Sequence, residues 1–221
     1  MTSIALGGRK DEIRTAAASS VELITKNIAR KIELYESKYG LKSDGETQDW
    51  RRAAAAGAFF TGSVDEAAEQ LDHMTSESDD WHLHFTRGVA YANMRRGRET
   101  NIAALRAYND AIALAPLNLE DRLRARLFTY RGAMFKRLDR AREAEPDLLE
   151  ALSLTDDEKE NLDTRYNLAC VYSLLKRKSD MLAMIHQLNN NPRYMSAIES
   201  HLDDYFAPYQ NDPDFRSVLH Q

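Results

Sequence analysis

Residues 129–155 read TYRGAMFKRLDRAREAEPDLLEALSLT, and the spacing within them decides the fold. Gly132 is followed three residues later by Phe135, and Ala144, Leu148 and Ala151 then follow in steps of four and three. Such steps stack side chains on one face of an α-helix, so the stretch predicts two helices with a short break between them. A glycine on the first helix and an alanine on the second let two backbones approach closely, and Phe135 fills the space one turn beyond that crossing. Pro146 stands where the second helix should already be running, and its missing N–H predicts either a late start or a bend. One such pair cannot bury its apolar face alone, so neighbouring pairs must stack on it.

The neighbours are present on both sides. Upstream, Gly88 precedes Tyr91 by three residues, and Ala104, Tyr108 and Ala111 repeat the steps of Ala144, Leu148 and Ala151, with Pro116 beyond. Downstream, Ala169 precedes Tyr172 by three, and Met181, Ile185 and Leu188 follow, with Pro192 after them. Gly88 to Ala104 is four residues longer than Gly132 to Ala144, which predicts an insertion in or near Arg95 to Thr100, between the two helices. Met181 replaces the small residue of the third crossing, which predicts a weaker one. A degenerate pair lies further upstream, with Ala55, the turn residue Gly62, and then Ala67, Leu71 and Met74. Ser63 to Glu66 has capping-box spacing, and Asn118 to Asp121 and Thr155 to Glu158 look like further caps.

The small residue, the aromatic three beyond it, the second-helix alanine and the trailing proline resemble the tetratricopeptide (TPR) repeat over residues 48–195. That resemblance implies an all-α fold, a right-handed solenoid of helical hairpins. It also implies protein binding rather than catalysis. Residues 1–46 read as an N-terminal helix and linker, 47–195 as about four TPR-like pairs with the first degenerate, and 196–221 as C-terminal capping helices. Ile13, Ala17, Val21, Ile24, Ile28, Ile32, Tyr35 and Tyr39 form one apolar stripe on a helix over residues 11–39 that Gly40 ends. This stripe either covers one end of the solenoid or pairs with another chain, as a self-association or docking helix. At the other end, Asn211 to Phe215 followed by Val218 and Leu219 looks like the closing segment of many TPR arrays.

Composition agrees. Nine glycines and five prolines in 221 residues are about half of average usage, which favours long helices over a sandwich or barrel. The longest apolar run, Ala53 to Phe60, is far short of the roughly 20 residues of a membrane span. The first residues, MTSIALGGRKDE, lack the basic and apolar blocks of a secretory signal. A soluble, cytoplasmic protein is expected, without disulfides, since Cys170 is the single cysteine. The net charge of −5 conceals a basic middle: residues 87–142 carry 13 basic side chains, 12 of them Arg, against 5 acidic ones. Such a block either neutralises its acidic neighbours or attracts an acidic partner.

No catalytic constellation is visible. Phosphate-binding glycine loops, nucleophile elbows and kinase signatures are all missing. His82 and His84 are two apart on a helix and point away from each other, and His73 lies elsewhere, so no metal and no cofactor are expected. Cys170 follows Ala169 at the tightest packing point and reads as a small buried hydrophobe. In a TPR-like array the first helices line the concave groove, and the positions around each small residue face it. Those positions select Phe85, Val89, Asn93, Thr129, Ala133, Lys136, Arg137, Tyr166, Cys170 and Ser173, with Arg126, Tyr130 and Asn167 at the rim. Phe85, Asn93, Arg126, Tyr130, Lys136, Arg137, Tyr166 and Asn167 are the candidate partner-binding set, suited to an acidic or amphipathic protein segment. Phe85 and Tyr166 read equally well as packing between repeats. Some TPR domains clamp a chaperone carboxylate with Lys and Asn, but Val89, Ala133 and Cys170 stand where that Asn belongs, so the activity is not implied here. The expected function is therefore a non-catalytic interaction adaptor or scaffold. The alternative is a nucleic-acid-associated factor using the Arg-rich middle, which is disfavoured because Arg122, Arg124 and Arg126 alternate around a helix rather than forming one strip.

Overall fold

The computed structural model describes residues 64–76, 78–94, 97–156, 158–188 and 191–219. Among these residues are nine α-helices and one short 3-10 turn, with no strand. The expected helix over 11–39, the turn at Gly62 and the capping Ser63 lie outside the described residues. The helices are α1 (Val64–Thr75), α2 (Trp81–Met94), α3 (Arg98–Leu114), α4 (Asp121–Arg137) and α5 (Ala141–Ser153). They continue with α6 (Glu158–Leu174), α7 (Lys178–His186), α8 (Pro192–Ser200) and α9 (Pro213–Leu219), the 3-10 turn Ala207–Tyr209 lying between the last two. The chain divides into two compact units, residues 1–73 and 74–221. The second unit holds α2 to α9. None of the described helices is long and apolar enough to cross a membrane.

Consecutive helices pair as α2/α3, α4/α5 and α6/α7, and each pair packs on the next. The repeated steps are the buried ones: Ala104, Tyr108, Ala111, Ala144, Leu148 and Ala151 are each 0% exposed. Met181, Ile185 and Leu188 take the same places in the third pair and are buried too. The two glycines mark the crossings. A Cβ on Gly132 would lie 2.7 Å from Cγ of Leu148 and 3.3 Å from the Ala144 carbonyl, and one on Gly88 would lie 2.6 Å from Cδ1 of Tyr108.

Three of the extra four residues of the first pair are not in a loop but in its second helix: α3 starts six residues before Ala104, whereas α5 starts three before Ala144. About one helical turn is added, so the crossing partners keep their phase and Tyr108 still faces Gly88. Pro146 does not delay its helix either. α5 starts at Ala141 and runs through the proline. Pro146 is exposed, so the carbonyl left without its N–H partner one turn back lies on the solvent side.

The turns within the second and third pairs share one design. Asp139 and Lys176 are left-handed, with φ of 61° and 60°. The N–H of Arg140 donates to the Phe135 carbonyl at 2.9 Å and that of Arg177 to the Tyr172 carbonyl at 2.8 Å. The N–H groups of Asp139 and Lys176 donate to Lys136 and Ser173. These are the paired bonds of a Schellman helix end, built on residues other than the usual glycine. Each following arginine then folds back over the aromatic of its own repeat, Arg140 at 4.7 Å from the Phe135 centroid and Arg177 at 4.5 Å from that of Tyr172. Arg140 and Arg177 also pair with Glu143 and Asp180, in the first turn of the next helix.

Among the described residues, side-chain caps are found at the starts of α2, α8 and α9. Asp80 accepts from the His82 N–H at 3.0 Å, Asn191 from the Arg193 N–H at 3.1 Å, and Asp212 from the N–H groups of Asp214 and Phe215 at 3.0 and 3.1 Å. The cap expected from Asn118 is not formed. Glu120 precedes α4 and caps it with no side-chain bond.

Candidate functional site

The first helices of successive pairs touch one another directly and so share a face. Phe85 of α2 packs edge-on against Tyr130 of α4, with centroids 5.3 Å apart, and both rings contact Tyr108 of α3. Arg137, in the last turn of α4, donates from Nη1 to the Ala92 carbonyl of α2 at 3.0 Å. Thr129 of α4 and Thr164 of α6 share a hydroxyl contact at 2.7 Å. The Tyr194 hydroxyl of α8 donates to Asp163 of α6 at 2.8 Å. These lateral bonds fix the spacing of α2, α4, α6 and α8.

The C-terminal half of this face is filled. Nζ of Lys136 lies 5.1 Å from the Tyr166 centroid and 4.5 Å from that of Tyr205, in the turn that follows α8. One ammonium is thus held between rings from α6 and from the C-terminal segment, a cation–π arrangement with little water. His201 stacks on Tyr205, donates from Nδ1 to the Ala197 carbonyl at 2.7 Å and lies 3.2 Å from the Tyr166 hydroxyl. Burial holds the Lys136 ammonium below its ordinary pKa, against the pull of Cys170 and Asp204. Burial likewise pushes the Cys170 thiol up, with Lys136 opposing. Burial raises Tyr166 strongly and pushes Tyr205 up to about 12. A neutral thiol and two neutral phenols make this a packed polar cluster, not an activated nucleophile.

The structure therefore divides the sequence-derived set. Phe85 is 2% exposed and Lys136 is 5% exposed, so neither is offered to a ligand on this surface. Asn167 is buried as well, and its Nδ2 bonds back to the Asp163 carbonyl at 2.8 Å. Val89, Cys170 and Ser173 are also buried. Arg126, Tyr130 and Tyr166 are half-buried, while Asn93 and Arg137 are exposed at the adjacent ends of α2 and α4. Asn93 bonds its own helix through Val89 at 2.8 Å. On the C-terminal half of this face the position of Lys136 is covered by Tyr205 of the chain's own C-terminal segment.

Other charges are engaged within the frame. Arg131 grips Asp147 of α5 with two bonds of 2.7 Å and reaches Asn109 of α3 at 3.3 Å. Arg124 donates to the Leu117 carbonyl, and Lys178 bridges Asp212 and Asp214 at 2.6 and 2.7 Å. Nε2 of His84 donates to the Ser78 carbonyl at 2.9 Å, and His82 faces Asp80. No group of metal-ligating side chains occurs among the described residues. Sequence reasoning misses Tyr205 and His201. The available signal is the acidic–aromatic run Asp203-Asp204-Tyr205-Phe206, which reads as an ordinary cap until the lysine it covers is known.

Stacked helical hairpins with small-residue crossings define an all-α repeat protein of TPR-like fold. A solved structure shares it, a thermophilic TPR protein of Thermus thermophilus, at a TM-score of 0.51 and 21% sequence identity, covering 90% of this chain and 92% of that one. No protein-family model and no curated protein sequence matches the chain.

Proposed function

We propose that this chain is a non-catalytic adaptor of the cytoplasm that holds an acidic segment of a protein partner against the face of its first helices. The fold supports protein interaction in general, since TPR-like arrays present extended surfaces on a rigid frame. The observation that carries the reading is the state of Arg137. Arg137 is exposed, and one N–H of its guanidinium is tied to the Ala92 carbonyl of the neighbouring helix. A guanidinium carries five N–H donors in a planar fork, so one tether leaves a preoriented set for a carboxylate. Asn93, Tyr130 and Ala133 flank it on the open, N-terminal half of the face. The basic excess of residues 87–142 lies in the same stretch of sequence as Arg137 and would favour an acidic segment over a basic one.

The test is a photo-crosslinking amino acid placed at Ala133, on this face, or at Arg142, exposed on α5. A protein adduct formed from position 133 and not from 142 supports the reading. Adducts from 142 alone would move the binding surface to the second helices.

A further inference from the structure

We propose that residues 201–206, His-Leu-Asp-Asp-Tyr-Phe, act as a strap that occupies a second recognition surface, centred on Lys136 and Tyr166, and that a partner segment carrying adjacent acidic and aromatic residues displaces it. This rests on the reading of the first-helix face as the interaction surface and names the chemistry of its closed half.

Four observations converge on the strap. Tyr205 caps the Lys136 ammonium at 4.5 Å while Tyr166 flanks it at 5.1 Å, so a ring of the strap completes a cage that α4 and α6 leave open on one side. The strap carries two acidic residues, Asp203 and Asp204, both exposed, and Asp204 acts electrostatically on Lys136, Cys170 and Tyr166. The strap is not regular helix: α8 ends at Ser200, and the chain continues in turns up to the 3-10 turn at Ala207. Tyr166, Cys170 and Ser173 form one stripe of α6, and the Ser173 hydroxyl is buried with no hydrogen-bond partner. The closed state thus holds a desolvated cation between two rings, and desolvating it opposes the closure.

The two ends of the strap differ. Phe206 is fully buried and stacks on Phe215 of α9, with centroids 5.5 Å apart. Tyr205 is half-buried and held through its ring face and the His201 stack. Opening therefore means that Asp203, Asp204 and Tyr205 swing away while Phe206 stays anchored. A partner segment then supplies carboxylates to Lys136 and Arg137 and a ring to the vacated place, where a directional aromatic–cation contact adds to charge.

Cys170, the single cysteine, lies under this closure and reports it by thiol alkylation of the full chain. In the wild type, alkylation at low urea should proceed by a local opening, with a weaker urea dependence than global unfolding. Tyr205→Ala should alkylate at least tenfold faster at unchanged helical content, and Tyr205→Phe should match the wild type. A synthetic peptide of residues 200–210 should protect Cys170 in Tyr205→Ala, and the same peptide with both Asp changed to Lys should not. Wild-type labelling that tracks global unfolding alone would overturn the strap, and this measurement does not require the variant to fold. Unchanged labelling of a folded Tyr205→Ala would overturn it too. Equal protection by the acidic and basic peptides would overturn the partner chemistry. Any of these failures leaves the crosslinks from Ala133 unaffected, so the adaptor reading stands or falls separately.

Discussion

Lys136 of α4 and Tyr205 of the C-terminal segment meet across the shared face of the first helices, with the ammonium 4.5 Å from the ring centroid. Together with the Tyr166 ring, that contact encloses a lysine whose position in the repeat marks it as surface. A reversal at Lys136 is then not a surface change. Lys136→Glu places a carboxylate between two rings and should cost about 3–5 kcal/mol, the penalty of an uncompensated buried charge. Arg137→Glu, at an exposed site, should cost no more than about 1.5 kcal/mol for its lost bond to Ala92. Urea denaturation of the two single variants distinguishes them.

Lys136→Met should fold and be at least as stable as the wild type at pH 7, since an apolar chain of similar size avoids desolvating a charge. The sign of the pH dependence follows. Because burial lowers the Lys136 pKa in the folded chain, the unfolded chain binds more protons between that value and about 10.4. Wild-type stability relative to Lys136→Met should therefore rise with pH through this window. Paired denaturation curves at pH 7 and pH 10 measure the rise.

The two crossing glycines should respond unequally to a methyl group. In Gly132→Ala the methyl meets Cγ of Leu148, an aliphatic chain, and less tightly the Ala144 carbonyl. In Gly88→Ala it meets the Tyr108 ring, which also contacts Phe85 and Tyr130. Over-packing costs about 1–3 kcal/mol, and Gly88→Ala should lie at the upper end and Gly132→Ala at the lower. Gly132→Leu should lower Tm further than either, as thermal scans of the three variants would show.

Lys176→Gly should stabilise the chain. Lys176 is left-handed at φ 60°, and glycine relieves a strain of about 1–2 kcal/mol at the cost of some unfolded-state entropy. A Tm higher by about 2–4 °C is expected for a chain of this size. Asp139→Gly should gain less, because Asp tolerates this conformation better than Lys does.

The Lys178 clasp gives an acid-sensitive tail. The hydrogen bond from Lys178 holds the Asp212 carboxyl below its usual pKa, and bonds to Asp212 and Asp214 raise Lys178. The Asp212 contribution is present above the unfolded value of about 3.9 and is lost as pH falls through the depressed folded value. The Lys178 contribution is lost only as pH rises through its raised value. Lys178→Ala should therefore be less stable than the wild type at pH 7, and the difference should close in strong acid.

Much of the fold was legible because helix crossings demand small residues at fixed steps. Gly88, Gly132, Ala104 and Ala144 stand where the backbones meet. Of the two outcomes open for Pro146, the late start does not occur, because a proline on the solvent side of a helix costs less than one facing the core. The four-residue insertion misled because nearly a full turn can enter a helix without changing which side chains face inward. The candidate site was legible only in direction. Spacing put Lys136, Tyr166 and Cys170 on one side, but whether that side is open depends on Tyr205, which reaches it through tertiary folding that no local pattern encodes. The shared turn of Asp139 and Lys176 was hidden for a related reason, since neither is the glycine that usually announces a left-handed helix end.

The central claim is that the open half of the first-helix face recognises a protein through Arg137. It is tested most directly by the affinity of the partner crosslinked from Ala133 for the wild type, Arg137→Glu and Arg142→Glu, measured at low and moderate salt. A drop of at least tenfold for folded Arg137→Glu, larger at low salt, with Arg142→Glu close to the wild type, is predicted. Equal affinity of all three proteins would contradict the account.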